Sequence, residues 1–217
     1  MHIDIFSDTV CPWCYIGKQR LERALARRPR RTLSIVWRAF QLNPEMPPEG
    51  MERQLYLSRK FGGAENAASI YGRILGVGEE ENIPFAFDAI ARTPNTVDSH
   101  RLIRYAAELG HQDDIVQALF EAYFCAGRDI GDRRVLAEIG GAAGLDEKAV
   151  TEFLGSGAQA AEILAEDNAA RRMGIQGVPC FIIDGRHVLS GAQPPEAFLQ
   201  MFDVVDAEEA AQSPASQ

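Results

Sequence analysis

The chain has 217 residues, 46% of them hydrophobic and 24% charged, which suits one domain of about 150 residues or one domain with a large insertion. Its 31 acidic against 22 basic residues give a formal net charge of -9, and a surface of that sign repels phosphate backbones and anionic lipid, so no nucleic acid and no membrane partner is expected. No apolar run reaches the roughly 20 residues of a membrane span, and strand-like sequence at Ile3, Ile5 and Phe6 leaves no room for a signal peptide, so a cytoplasmic protein is expected.

Residues 3–6 are short, apolar and β-branched and stop at Ser7-Asp8, the pattern of a buried strand. Pro12 then stands where a first helical turn tolerates proline, and Ile16, Leu21, Ala24 and Leu25 follow on one helical face. The basic run Arg27-Arg28-Pro29-Arg30-Arg31 lies where a helix C-terminus favours cations. Residues 33–37 form a second strand.

From 51 to 154 the pattern is almost wholly helical. Ile115/Val116, Leu119/Phe120 and Tyr123/Phe124 make two stripes of a single helix. Leu102, Ile103, Ala106 and Leu109 mark the helix before it, with Asn95 or Thr96 as N-cap, and Asp132 caps the next, which carries Val135, Leu136 and Ile139. Gly62-Gly63 and Gly76-Val77-Gly78 lack the strand and GxGxxG context of a nucleotide site and read as helix ends and turns. Strands return at 180–183 and 187–189, joined by the hairpin dipeptide Asp184-Gly185. A short amphipathic segment with Phe198, Leu199 and Phe202 follows Pro194-Pro195, and beyond Asp206 the small polar tail is expected to be disordered. The division is therefore one α/β unit in two parts, 1–44 and 156–205, a helical insertion at 45–155, and a tail at 206–217.

Four cysteines are too few for a disulfide-stapled scaffold; Cys11 and Cys14 form a CxxC, while Cys125 and Cys180 stand alone. A CxxC is half a zinc site or a dithiol. Zinc needs four ligands, and there is neither a second CxxC nor a metal-like spacing among His2, His100, His111 and His187, so no metal is expected. Two cysteines three apart at a helix start face the same side. The first lies at the helix N-terminus, where free N–H groups and the dipole stabilise a thiolate, and the second one turn inside, suited to resolving a mixed disulfide. Pro12 stiffens the turn, and Trp13 offers an exposed apolar contact.

Cys11-Pro12-Trp13-Cys14 after a first strand and Gly177-Val178-Pro179 before a late hairpin resemble the two signatures of the thioredoxin fold. The helical insertion resembles the DsbA family, and CPWCYIGKQRLE, FQLNPEMPPEG, AYFCAGRDIGD and LSGAQ resemble its FrnE-like subgroup. The resemblance implies an α/β, thioredoxin-like fold in which Cys11 is the nucleophile, Cys14 the resolving thiol and Val178-Pro179 a cis peptide bond beside them. Ile5 stands where thioredoxin relatives carry a buried acid, leaving Asp4 and Asp8 as the carboxylates that substitute for it. Cys180, directly after the proline, puts a third sulfur near the pair and is a possible accessory thiol.

The same resemblance extends to glutathione-dependent relatives, the kappa-class transferases and 2-hydroxychromene-2-carboxylate isomerases. They are similar at Asn43-Pro44 and Ser190-Gly191, where such enzymes hold glutathione, although Gln193 falls where they often carry aspartate. The reading favoured is a thiol–disulfide oxidoreductase or isomerase acting on protein or low-molecular-weight disulfides, with no bound cofactor and glutathione as cosubstrate or reductant. Pro12, Trp13, Val178, Pro179, Asn43 and Ser190 are its candidate substrate contacts. A glutathione-dependent isomerase or transferase of small aromatic or polyketide-like substrates is the alternative enzyme, and a chaperone-like binding module the non-catalytic one.

Overall fold

The computed structural model describes residues 1–30 and 32–212, so Arg31 of the basic run and the last five residues of the tail lie outside it. A strand β1 (His2–Ser7), a helix α1 (Pro12–Arg27) and a strand β2 (Ser34–Ala39) form a parallel crossover unit. The insertion follows as β3 (Met51–Glu52), α2 (Arg53–Phe61), α3 (Ala64–Glu80), β4 (Arg92–Thr93), α4 (Val97–Glu108), α5 (Gln112–Phe120), α6 (Arg133–Ala142) and α7 (Glu147–Ser156). The chain closes with α8 (Ala160–Arg172), β5 (Cys180–Ile183), β6 (His187–Ser190) and α9 (Pro195–Gln212). The main sheet runs β2-β1-β5-β6, with β1–β2 parallel and the other pairs antiparallel. This is the thioredoxin-like plan with a helical insertion that the sequence implies.

Alternation along the strands sorts side chains to two faces. Ile3, Ile5, Phe181 and Ile183 pack with α1 and α9 in the large core, which also takes in the insertion helices. Phe6, Cys180 and Ile182 face the other way, onto Phe40 and Ala170 of α8. Strand β2 is an edge, and side chains cover its unpaired backbone: Gln112 pairs with both the N–H and C=O of Trp37 at 3.0 and 3.1 Å, and Glu166 accepts from the Ala39 N–H at 2.9 Å.

Four expectations are corrected. The described part of the tail is ordered past Asp206: α9 continues to Gln212, where Asp206 binds Arg28 and Arg30 of the basic run and Glu208 binds Arg186 and His187. The long helix through Tyr123 is α5 followed by a π-turn at Glu121–Cys125, closed by an Ala126 N–H to Glu121 C=O bond of 3.1 Å. That wider turn buries Ala122, Tyr123 and Phe124 together. The insertion also holds a two-strand ribbon, β3 with β4, whose two-residue strands are too short to give an alternating pattern. Gly76 and Gly78 lie inside α3 rather than at its end, and a Cβ on Gly78 would stand 2.4 Å from the Phe85 ring.

Candidate active site

Cys11 is the N-cap residue of α1 and Pro12 its first helical position. No side chain caps the first turn, so its N–H groups and the dipole's positive end are left at the Cys11 sulfur. The loop that delivers Cys11 is a tight turn, with its N–H on the Asp8 C=O at 3.0 Å. Cys14 lies one turn inside, with no exposed surface, and both cysteines are free thiols. Burial, above all, pushes the Cys14 thiol well up; a hydrogen bond with Cys11 and its charge add to the rise, and the Ser7 hydroxyl and Asp8 N–H oppose it. Cys14 is thus held as a neutral thiol against the Cys11 sulfur.

The second wall is the loop before β5. Val178-Pro179 is a cis peptide bond, as the resemblance implied, and the Val178 C=O accepts from the Cys11 thiol at 3.6 Å. The Gly191 N–H holds the Pro179 C=O at 2.8 Å, fixing the loop to the end of β6. Gly17 of α1 lets the proline approach: a Cβ there would sit 2.9 Å from Pro179 Cγ and 3.1 Å from the Phe181 ring.

The third wall joins the two parts of the chain. Asp8 is fully buried; its Oδ2 accepts from the Leu42 N–H at 2.7 Å, and its Oδ1 lies 3.4 Å from His100 Nε2 on α4, itself only 3% exposed. Next to this pair, the Thr9 and Ser99 hydroxyls bond at 2.8 Å. Asn43, after Leu42, takes Tyr56 at 3.3 Å and the exposed Lys60 ammonium at 3.1 Å on its Oδ1, while its Nδ2 is buried without a partner. Tyr71 of α3 is close enough for the Cys11 charge to add to the upward push that burial gives its hydroxyl.

Of the residues singled out in the sequence, Cys11, Cys14, Pro12, Val178, Pro179 and Asp8 come together here, and Asn43 is tied to them through Leu42. Trp13 is half-buried, packed against the large core, and not a freely exposed contact. Asp4, Cys180 and Ser190 do not join the thiols. All three line a groove of about 740 Å³ on the α8 face of the sheet. Strand alternation turns Asp4 away to His2 and Arg38, with 2.8 Å from Arg38 Nε to its carboxylate. The same alternation directs Cys180 to Phe6 and Phe40, where burial raises its thiol. Cys125 is in the π-turn beside the Tyr15 side chain, with its own thiol raised mainly by burial. Sequence reading missed His100 and Gly17. His100 meets Asp8 only through the fold, and Gly17 is legible only once Pro179 is known to lie over α1.

Among the described residues no group of three or more His, Cys, Asp or Glu side chains is arranged to hold a metal, and no helix is long and apolar enough to cross a membrane. What the geometry offers is thiol chemistry: one sulfur at a helix N-terminus, a second in contact with it, and a loop carbonyl beside the first.

Solved structures share this arrangement of elements. A probable DsbA oxidoreductase from Streptomyces coelicolor is 32% identical, with 100% of this chain and 93% of that one covered at a TM-score of 0.88. A 2-hydroxychromene-2-carboxylate isomerase is 16% identical, with 98% of this chain and 100% of that one covered at 0.73. The cytosolic disulfide reductase DsbM from Pseudomonas aeruginosa, solved with GSH, is 19% identical, with 94% and 98% covered at 0.68. The DSBA-like thioredoxin domain model matches residues 2–203, nearly the whole of the chain just described, and the protein belongs to that family.

Proposed function

We propose that the protein is a thiol–disulfide oxidoreductase that exchanges protein or low-molecular-weight disulfides through Cys11 and Cys14. The observation that carries this reading is the pair itself: Cys11 at an uncapped helix N-terminus, Cys14 in contact with it and kept neutral by burial. The Cys11 thiolate attacks one sulfur of a substrate disulfide, forming a mixed disulfide while the other substrate sulfur leaves with the electron pair and takes up a proton. Cys14 then gives up its proton and attacks the Cys11 sulfur. The Cys11–Cys14 disulfide closes, the second substrate thiol departs, and two electrons have passed to the substrate. Because Cys14 stays a thiol in the resting state, it does not compete for the first attack.

The half-exposed Trp13 and the Val178-Pro179 backbone are the surfaces a substrate meets beside Cys11, with the buried Pro12 shaping the turn beneath them. Glutathione is the thiol that returns the pair to its reduced form. Its carboxylates suit the exposed Lys60 ammonium held over Asn43, and a protein of the same fold is named as a cytosolic disulfide reductase solved with GSH. A reducing compartment such as the cytoplasm is consistent with a dithiol kept reduced in this way. The test is reduction of a protein disulfide and of a low-molecular-weight disulfide other than oxidised glutathione, with glutathione as the electron donor and the oxidised glutathione formed as the readout. Wild type turns over both, and Cys11→Ser turns over neither; equal rates in the two proteins would contradict the reading.

A further inference from the structure

We propose that the free edge of β6 pairs with the same edge of a second copy of the chain, about a two-fold axis at Val188, joining two four-stranded sheets into one. This goes beyond the exchange reaction and does not depend on it. The two outer strands of the sheet are treated differently. The backbone of β2 is covered by Gln112 and Glu166. Strand β6 has no proline, no lysine and no covering element, the usual guards of an exposed edge. Instead it carries Val188 at 56% exposure, with Met173 at 61% on the same groove.

Antiparallel alternation decides which main-chain groups face out. The Gly191 N–H bonds the Pro179 C=O at 2.8 Å, so Leu189 and His187 are the residues that turn N–H and C=O inward, to Phe181 and Ile183 of β5. Val188 and Ser190 turn theirs outward. The Arg186 C=O, next in the alternation, has no partner among the described residues. A second copy laid antiparallel about Val188 meets this edge group for group. Each Val188 N–H reaches the other copy's Val188 C=O, and each Ser190 N–H reaches the other copy's Arg186 C=O. The two groups that this two-fold leaves unmatched are already satisfied within the chain. The Arg186 N–H bonds the Ile183 C=O at 3.1 Å, and Gln193 Nε2 donates to the Ser190 C=O at 2.8 Å. A longer foreign strand needs that capped carbonyl; a second copy does not.

Side chains and charges agree with the backbone. Residues directly opposite in an antiparallel pair point to the same face with Cβ atoms about 5 Å apart, so the two Val188 side chains cover each other and the two grooves run together. Arg186 and His187 both meet Glu208, and Asp4 and Glu166 of the groove both meet Arg38. A chain of net charge -9 therefore brings little repulsion to this axis. One short strand pair is small beside the roughly 1,200–2,000 Å² of stable interfaces, so the association is reversible and rises with concentration.

Sedimentation velocity over a concentration series reads the association, and amide hydrogen exchange at the same concentrations reads the edge. Wild type is expected to pass from one chain to two as concentration rises, with exchange at the Val188 and Ser190 amides slowing in step. Val188→Pro removes an N–H that the fold itself does not use, a change edge strands tolerate. It should weaken the dimer about 30-fold, from the two bonds lost at the axis. Val188→Lys sets like charges opposite each other and should weaken it as well. Both variants should keep wild-type circular dichroism and disulfide exchange, since Val188 touches neither thiol. Wild type that stays a single chain at every concentration overturns the pairing. It does so even where an added unfolded protein protects those two amides, which would assign the edge to a client strand. A dimer that both variants leave intact, with the Val188 and Ser190 amides unprotected, overturns it equally.

Discussion

At Gly17 two opposing effects of a single methyl can be weighed. Alanine in mid-helix gains roughly 0.5–1 kcal/mol over glycine, but here its Cβ would lie 2.9 Å from Pro179 Cγ. That ring cannot swing aside, since the Gly191 N–H holds the Pro179 C=O at 2.8 Å. Overpacking of this kind costs about 1–3 kcal/mol, so Gly17→Ala should lower stability and displace the loop from Cys11. Thermal unfolding together with the rate of disulfide exchange measures both, and an unchanged rate would mean the loop position is not critical. The same residue shows where sequence reading stops. Cys11, Cys14 and Pro179 announce themselves by type and spacing, whereas Gly17 and His100 acquire meaning only from partners far along the chain.

Among the elements, α9 was expected to end near Asp206, because no large apolar side chain follows to be buried, although the alanine and glutamate there are good helix formers. What extends it is long-range, the basic run after α1 gripping Asp203 and Asp206, with Arg30 also 4.9 Å over the Phe202 ring. Exposed ion pairs contribute about 0–1 kcal/mol each, while a buried Phe→Ala change costs about 3–5 kcal/mol. Denaturant unfolding should therefore show Phe202→Ala severely destabilised and Asp206→Ala nearly neutral, the latter with fraying confined to the final turns. Arg101 illustrates the opposite case, a charge with 0% exposure. Its guanidinium donates to the Phe153, Leu154 and Ala158 carbonyls at 2.9, 3.1 and 2.6 Å and to Asp98 at 2.6 Å, closing the C-terminal end of α7 onto α4. Arg101→Met takes this donor from the Leu154 and Ala158 carbonyls, while Ser156 still meets the Phe153 carbonyl at 2.7 Å and Arg133 still meets Asp98 at 2.6 Å, and a loss of about 1–3 kcal/mol is expected in the same assay. A loss under 1 kcal/mol would assign the stability of this junction to packing alone. In the sequence Arg101 was one charge on an amphipathic helix, and nothing local marked it as buried.

For the whole molecule, the strand–helix–strand start, the helical insertion and the late hairpin were legible because each has its own period or turn dipeptide. The placement of Asp4, Cys180 and Ser190 was not, since it depends on which sheet face each strand position takes. A global consequence follows from the buried acids. Burial is the leading cause that raises Tyr15 to about 12, and it also raises Tyr56, Tyr71, Tyr123 and Cys14. Each folded-state value lies above its unfolded one, so the folded chain binds more protons at alkaline pH. The stability they contribute is full below the ordinary values of 9.0 for the thiol and 10.0 for the phenols and is lost as pH rises toward the folded values. Both forms should begin to lose stability from the thiol range, because Cys125 and Cys180 are raised by burial in each, and the reduced protein should lose it more steeply because Cys14 adds to them. Melting temperature against pH for both redox forms checks this, and identical alkaline limbs would contradict the burial argument for Cys14.

The central claim is that Cys11 attacks and Cys14 resolves, and peptide mapping of Cys14→Ser after exposure to oxidised glutathione tests it most directly. With its resolving thiol gone, the variant should accumulate one glutathionyl group, on Cys11, with Cys125 and Cys180 recovered as thiols. A variant that remains unmodified, or that carries the group on Cys125 or Cys180 with Cys11 free, would contradict the account.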